Sequence, residues 1–222
     1  MIDIRDLEFA YPRGEFRLRV GRFLAAPGER IAVTGPSGSG KTTLLNLVAG
    51  IAAPARGTVR VAGEEISALP DAARRAFRVT RIGFVFQDFE LIEYLSVLDN
   101  ILHSYRISSA LRLEAAVRER ARSLAARLGI GDQLAREVGD LSQGERQRVA
   151  ICRAVLAHPG LILADEATGN LDPENKGRIL DLLFDEAAAV GATVLAVTHD
   201  HALLPRFDRV VDFAEFREAA PA

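Results

Sequence analysis

The run Gly35-Pro36-Ser37-Gly38-Ser39-Gly40-Lys41-Thr42-Thr43 constrains this chain more than any other stretch. A glycine, four residues and then Gly-Lys-Thr is the spacing of a loop that wraps a polyphosphate. Gly35, Gly38 and Gly40 can take backbone conformations closed to other residues, so successive N–H groups can turn inward on an anion. Lys41 brings a compact charge to β- and γ-phosphates, and the Thr42 hydroxyl is a ligand for Mg²⁺. The flanks agree. Residues 30–34 read as a short buried strand and residues 42–49 as a helix closed by Gly50, which aims a helix N-terminus at the phosphates.

A length of 222 residues suits one large domain, or a domain with a subdomain, and is enough to bury a core. The 28 basic and 30 acidic residues leave a net charge of −2, and no nucleic-acid partner is expected. Lys41 and Lys176 are the only lysines, arginine being used elsewhere, so lysine is kept where a compact ammonium is wanted. The single cysteine, Cys152, excludes an internal disulfide and fits a reducing compartment; it reads as a small apolar residue on a packed helix. Residues 1–5 carry no charged-then-apolar leader, and the longest uncharged apolar run, 187–198, is too short to span a membrane. The chain is expected to be soluble, with any membrane role supplied by a partner.

Alternating patterns predict strands over 1–7 and 16–20, separated by a turn at 11–14. Further strands are expected over 57–63, 82–86, 161–164, 193–198 and 209–213. Helices are expected from an opening at Leu69-Pro70-Asp71, with proline in the first turn, to about 78, over 96–103 behind the capping pair Ser96 and Asp99, over 113–128 stopped by Gly129, over 142–157 stopped by His158 and Pro159, over 173–189, and briefly at His201. The tail 218–222 is expected to fray. The outline is an α/β core with a β-rich start and an inserted helical subdomain.

Leu161-Ile162-Leu163-Ala164-Asp165-Glu166 is an apolar strand ending in two acids. At the carboxyl end of a central strand an acid faces the ligand crevice of an open α/β sheet. Asp165 is placed to hold the hydration shell of Mg²⁺, and Glu166 to orient or activate an attacking water. Ser142 and Gly144, at the start of the predicted helix after Leu141, are a small hydroxyl residue and a glycine that leave N–H groups free for an anion.

At Leu141-Ser142-Gln143-Gly144-Glu145 the chain resembles the ATP-binding cassette (ABC) ATPase family, whose signature is Leu-Ser-Gly-Gly-Gln or close to it. Gln143 stands where the family usually has Gly, and Glu145 where Gln is common. The resemblance runs along the whole chain. It implies the ABC ATPase fold: a P-loop NTPase core with an antiparallel β-subdomain, here about 1–87 and 159–222, and a helical subdomain over about 88–158. It implies ATP and Mg²⁺ as ligands, with Ser142 and Gly144 binding the γ-phosphate of ATP held by the opposite subunit of a homodimer. Gln87 resembles the glutamine that reaches Mg²⁺ and senses the membrane partner, His199 the switch histidine on the γ-phosphate, and Tyr11 the aromatic that stacks on adenine. Asp172 closes the dimer-facing loop 167–172. Thr168-Gly169-Asn170-Leu171-Asp172 is similar to the branch of lipoprotein-release, macrolide-export and cell-division cassettes, although many members have Pro where this chain has Ala167.

The function this resemblance implies is ATP hydrolysis in the cytoplasm, on the inner face of the membrane, driving a separate transmembrane permease. A soluble ABC ATPase normally needs a long coiled-coil insert or a second cassette, and 222 residues do not fit that. A regulatory ATP-binding subunit is the remaining alternative. The apolar loop 88–98, with Phe89, Leu91, Ile92, Tyr94 and Leu95, is the expected docking surface for the partner.

Overall fold

Two kinds of hydrophobic pattern give two sheets. The computed structural model describes residues 1–13 and 16–216. In chain order the strands are β1 (Ile2–Ala10), β2 (Arg17–Ala25), β3 (Arg30–Thr34), β4 (Arg56–Val61), β5 (Glu64–Glu65), β6 (Ile82–Val85), β7 (Leu161–Asp165), β8 (Thr193–Val197) and β9 (Arg209–Asp212). The half-polar strands form an antiparallel sheet in the order β2-β1-β4-β5, and the near-continuous apolar ones a parallel sheet in the order β6-β7-β8-β3-β9.

The inner parallel strands β7, β8 and β3 are apolar nearly throughout because both of their faces are covered, whereas the edge strand β9 keeps Arg209, Val210 and Asp212 at least partly exposed. Ile31, Val33, Leu163, Leu195 and Val197 face helix α1 (Lys41–Val48) and the antiparallel sheet, where Ile2, Ile4, Val20 and Val59 meet them. Ala32, Ile162, Ala164, Val194 and Ala196 face the other way, into the same core as Val149, Val155, Leu180 and Leu183 of α6 (Gln143–Val155) and α7 (Pro173–Ala189). Helix α2 (Asp71–Arg81) runs straight into β6.

The first two strands outrun their sequence signals because the alternation slips by one residue. Asp6 has a φ of +46°, and the buried positions pass from Ile2 and Ile4 to Leu7. Opposite it, on β2, they pass from Leu18 and Val20 to Phe23 and Ala25. The β1–β4 register shifts between Arg5 and Glu8, and there Gly57 lies so close that a Cβ would sit 2.3 Å from the Asp6 carbonyl oxygen.

Between β6 and β7 the chain is helical: α3 (Val97–Ile101), α4 (His103–Ile107), α5 (Ala115–Arg127) and α6. The helix expected over 96–103 is thus two, parted at the fully buried Leu102. Its cap is as expected, Ser96 Oγ accepting from the Asp99 N–H at 3.1 Å. The helix expected at His201 is a turn followed by a 3₁₀ segment, Leu204–Arg206. Pro205 has no N–H to return to a carbonyl four residues back, so an α-helix cannot grow there. Cys152 is fully buried and its thiol is pushed up to about 12, mainly by burial, as befits a core residue. Gly14 and the tail 218–222 lie outside the described residues.

Candidate functional site

The phosphate loop joins β3, between β8 and β9, to α1. Gly35, Gly38 and Gly40 have φ of +144°, +72° and +112°. Gly40 is needed twice over: it is the left-handed N-cap of α1, and a Cβ there would lie 2.6 Å from the Phe16 ring. No side chain bonds the cap, so the first-turn N–H groups remain for an anion. Lys41 is 7% exposed, and its Nζ donates to the Gly35 and Pro36 carbonyls, each at 2.8 Å. Pro36, Ser37 and Gly38 form the exposed rim, and buried Ser39 has an Oγ with no hydrogen-bond partner among the described residues. An orphaned hydroxyl inside an N–H cradle fits a polyphosphate.

At the end of β7, beside this loop, Asp165 meets the Thr42 hydroxyl. Burial, the largest influence, pushes its carboxyl above the ordinary value; the Thr42 hydrogen bond and Lys41 oppose this, and Glu166 reinforces it. Glu166 has a φ of +45°, unusual for a side chain of its size, and its N–H is fixed to the Val197 carbonyl at 3.0 Å. This turn directs Oε2 to His199 Nδ1, 3.1 Å away, just past the end of β8. Gln87, past the end of β6, is adjacent. A Cβ on Gly169 would lie 3.6 Å from Glu166 Oε2 and 3.7 Å from Gln87 Nε2. The structure therefore brings together the loop, Asp165, Glu166, Gln87 and His199.

Tyr11 also reaches the loop. Its hydroxyl is 3.1 Å from Thr43 Oγ1, and its ring leans on Phe9 and Phe16 while remaining 43% exposed. Ser142 and Gly144 stand elsewhere, with hydrogen bonds that stay in their own segment. Ser142 caps α6 in a reciprocal box with Glu145, Ser142 N–H to Glu145 Oε2 at 2.8 Å and Glu145 N–H to Ser142 Oγ at 3.4 Å. A Cβ on Gly144 would meet nothing within 4 Å. Asp172 is the N-cap of α7, accepting from the Asn175 N–H at 3.1 Å.

Sequence reasoning missed the walls and ties of the site. Phe213 closes on Gly35, where a Cβ would lie 2.9 Å from its own. Asn170 ties loop 167–172 to the Gln87 carbonyl at 2.9 Å. Its place inside the loop motif was the available signal; for Phe213 there was none.

The loop 88–98 is more buried than its composition suggests. Phe89 is in the core, Leu91 packs on it and Tyr94 is 77% exposed. The Asn100 amide bonds Ile92 and Leu95, and Arg153 bonds the Phe89 carbonyl at 2.6 Å, which holds the loop down.

An anion cradle with two carboxylates and an imidazole at its edge suits nucleoside triphosphate hydrolysis, and their position at the carboxyl ends of parallel strands is that of the phosphate-loop NTPases. A family model described as "ABC transporter" matches residues 20–169. The chain belongs to this family and is an ATP-binding, ATP-hydrolysing cassette. It is 41% identical over 218 residues to the lipoprotein-releasing system ATP-binding protein LolD of Pseudomonas fluorescens, spanning 97% of this chain and 95% of that one. The dimeric post-hydrolysis structure of the ATP-binding cassette MJ0796, bound to ADP and Pi, superposes with a TM-score of 0.84 at 30% identity over 96% and 94% of the two chains. The corresponding values for cbiO1 of Clostridium perfringens, part of the ABC transporter complex cbiONQ, are 0.83, 28%, 95% and 83%. Among the described residues no helix is long and apolar enough to cross a membrane.

Proposed function

We propose that this chain is the ATPase subunit of a transporter or mechanotransmission complex, acting as a head-to-tail homodimer beneath a separate transmembrane partner on the inner face of the membrane. One observation carries the dimer. Ser142 and Gly144 open α6 with free space above Gly144 and no hydrogen bond to their own phosphate loop, so a second copy is needed to bring them to a nucleotide. The dimeric relative bound to ADP and Pi and the LolD relatives support the same reading.

Residues 35–43 hold the phosphates, with Lys41 on the β/γ pair and Tyr11 against the base. Glu166 takes a proton from, or orients, the attacking water, and His199 holds the γ-phosphate. Catalysis is by positioning and charge. The donor set suits Mg²⁺: Asp165 supplies one carboxylate, Thr42 a hydroxyl and Gln87 an amide oxygen, with no cluster of three or more His, Cys, Asp or Glu among the described residues. When bound, Mg²⁺ would neutralise charge on the phosphates. Residues 88–158 form the helical subdomain, the remainder the core, and Asp172 lies on the dimer-facing loop.

The partner docks beside Gln87. A groove of about 590 Å³ runs between α2, β6 and α4, floored by Phe84 and Phe86 and carrying Arg75, Arg78 and Arg153, with no acid in its lining. It suits a short amphipathic helix bearing carboxylates, and Tyr94, exposed on the loop that follows Gln87, offers a further apolar contact to the same partner. The purified chain should hydrolyse ATP with a rate that rises faster than linearly with chain concentration. A chain that turns over at a rate strictly proportional to concentration while remaining monomeric on a sizing column in Mg·ATP would overturn the dimer.

A further inference from the structure

His199 has little to hold it in place directly: its side chain is 63% exposed, and it lies in irregular chain two residues past the end of β8. Its neighbour is tightly fixed. Asp200 Oδ2 accepts from Lys176 Nζ at 2.9 Å, Asp200 Oδ1 from the Ala202 N–H at 3.1 Å, and the Asp200 N–H donates to Thr198 Oγ1 at 3.1 Å. The Lys176 and Asp200 side chains are 21% and 20% exposed, so solvent screens the pair only in part. The Lys176 contact is also the main reason that the Asp200 carboxyl lies below its ordinary value.

Lys176 is in the first turn of α7, its N–H bonded to the carbonyl of the cap Asp172 at 3.1 Å. Upstream of that cap, the Gly169 N–H bonds the Glu166 carbonyl at 2.8 Å and Asn170 bonds Gln87. The backbones of Glu166 and His199 are therefore carried on one frame, which the Lys176–Asp200 pair closes on the His199 side.

General anchoring of this segment does not need that pair. Further along, Arg206 bonds the Gly177 carbonyl at 3.0 Å and pairs with Asp181, Leu203 is buried, and Phe207 packs edge-on against Phe184 at 5.1 Å. What the Lys176–Asp200 pair adds is local to the residue next to His199.

We infer that Lys176 and Asp200 are positioning residues for ATP hydrolysis: their ion pair ties the turn after β8 to α7 and so keeps the His199 imidazole 3.1 Å from Glu166. The inference rests on the roles proposed above for Glu166 and His199. It separates the two lysines of the chain, Lys41 for the phosphates and Lys176 for the geometry around them.

The test is steady-state ATP hydrolysis by the purified full chain, with thermal melts in parallel. Lys176→Met and Asp200→Asn should each lower kcat by about tenfold at unchanged KM, since a small misplacement of a catalytic group is enough for a loss of that order. The double variant should be no slower than either single one, because the two act as a unit. Lys176→Arg, which keeps charge and reach, should recover most of the rate. Arg206→Met should lower the melting midpoint and leave kcat unchanged. Unchanged kcat in folded Lys176→Met and Asp200→Asn would overturn the inference, as would an equal loss in Arg206→Met. If His199→Ala stops turnover while Lys176→Met does not, the positioning role alone is wrong; if the wild-type chain has no turnover, the reading of the site itself fails.

Discussion

Replacing Lys41 by methionine keeps most of the side-chain volume and removes the ammonium. Two of its three donors are engaged by the Gly35 and Pro36 carbonyls at 2.8 Å, which leaves one for a phosphate oxygen without breaking either bond. A hydrogen bond of that charged kind contributes about 1.5–3 kcal/mol, which corresponds to roughly 10- to 150-fold in ATP affinity. The free protein should be affected much less. Gly35 is half-buried and Pro36 exposed, so water can replace the ammonium at their carbonyls. The stability change should stay within about 1 kcal/mol, a midpoint shift of about 2–4 °C for a chain of this size. Titration with a fluorescent ATP analogue, a thermal melt and a turnover assay on the same sample measure all three quantities. Wild-type affinity and turnover in a folded Lys41→Met protein would refute the reasoning.

Glu166→Gln should abolish turnover but still dimerise with Mg·ATP on a sizing column, and adding Ser142→Arg should return it to monomer; wild-type turnover in Glu166→Gln would remove Glu166 from the chemistry. Glu145 is held below its ordinary pKa chiefly by the hydrogen bonds from the Ser142 side chain and backbone. A depressed folded-state pKa stabilises above the unfolded value and loses that stabilisation as pH falls through the folded one. Glu145→Gln should therefore melt lower than wild type at neutral pH, with the gap closing in acid; a gap independent of pH would mean that the capping carboxylate contributes nothing as an ion. In the partner groove, Ile107 is 70% exposed. Ile107→Glu or Tyr94→Glu should leave ATP binding intact and prevent co-purification with the transmembrane partner, so retained co-purification by both variants would place the docking surface elsewhere.

Much of this protein is determined locally and was therefore legible in its sequence. The phosphate loop needs only its own glycines, Lys41 and Thr42 between a strand and a helix. The caps at Ser96, Ser142 and Asp172 bond N–H groups three residues on, and Gly129 ends α5 with a φ of +71°. Such signals span a few residues and survive without knowledge of the fold. What the tertiary structure decided depends on residues far apart in the chain. The order β6-β7-β8-β3-β9 sets the loop after Thr34 beside Gln87, Glu166 and His199, because parallel neighbours present their carboxyl ends on one edge. The slip at Asp6 exists because β1, β2 and Gly57 meet there. The backbone of 88–98 is held down by Asn100 and Arg153, with Phe89 buried and Tyr94 left exposed, which no periodicity within the loop reveals. Lys176 and Asp200 lie 24 positions apart, each an ordinary surface charge when read alone. Only the packing of α7 beside the turn after β8 makes them a pair, since an ion pair is set by distance in space and the sequence records only distance along the chain.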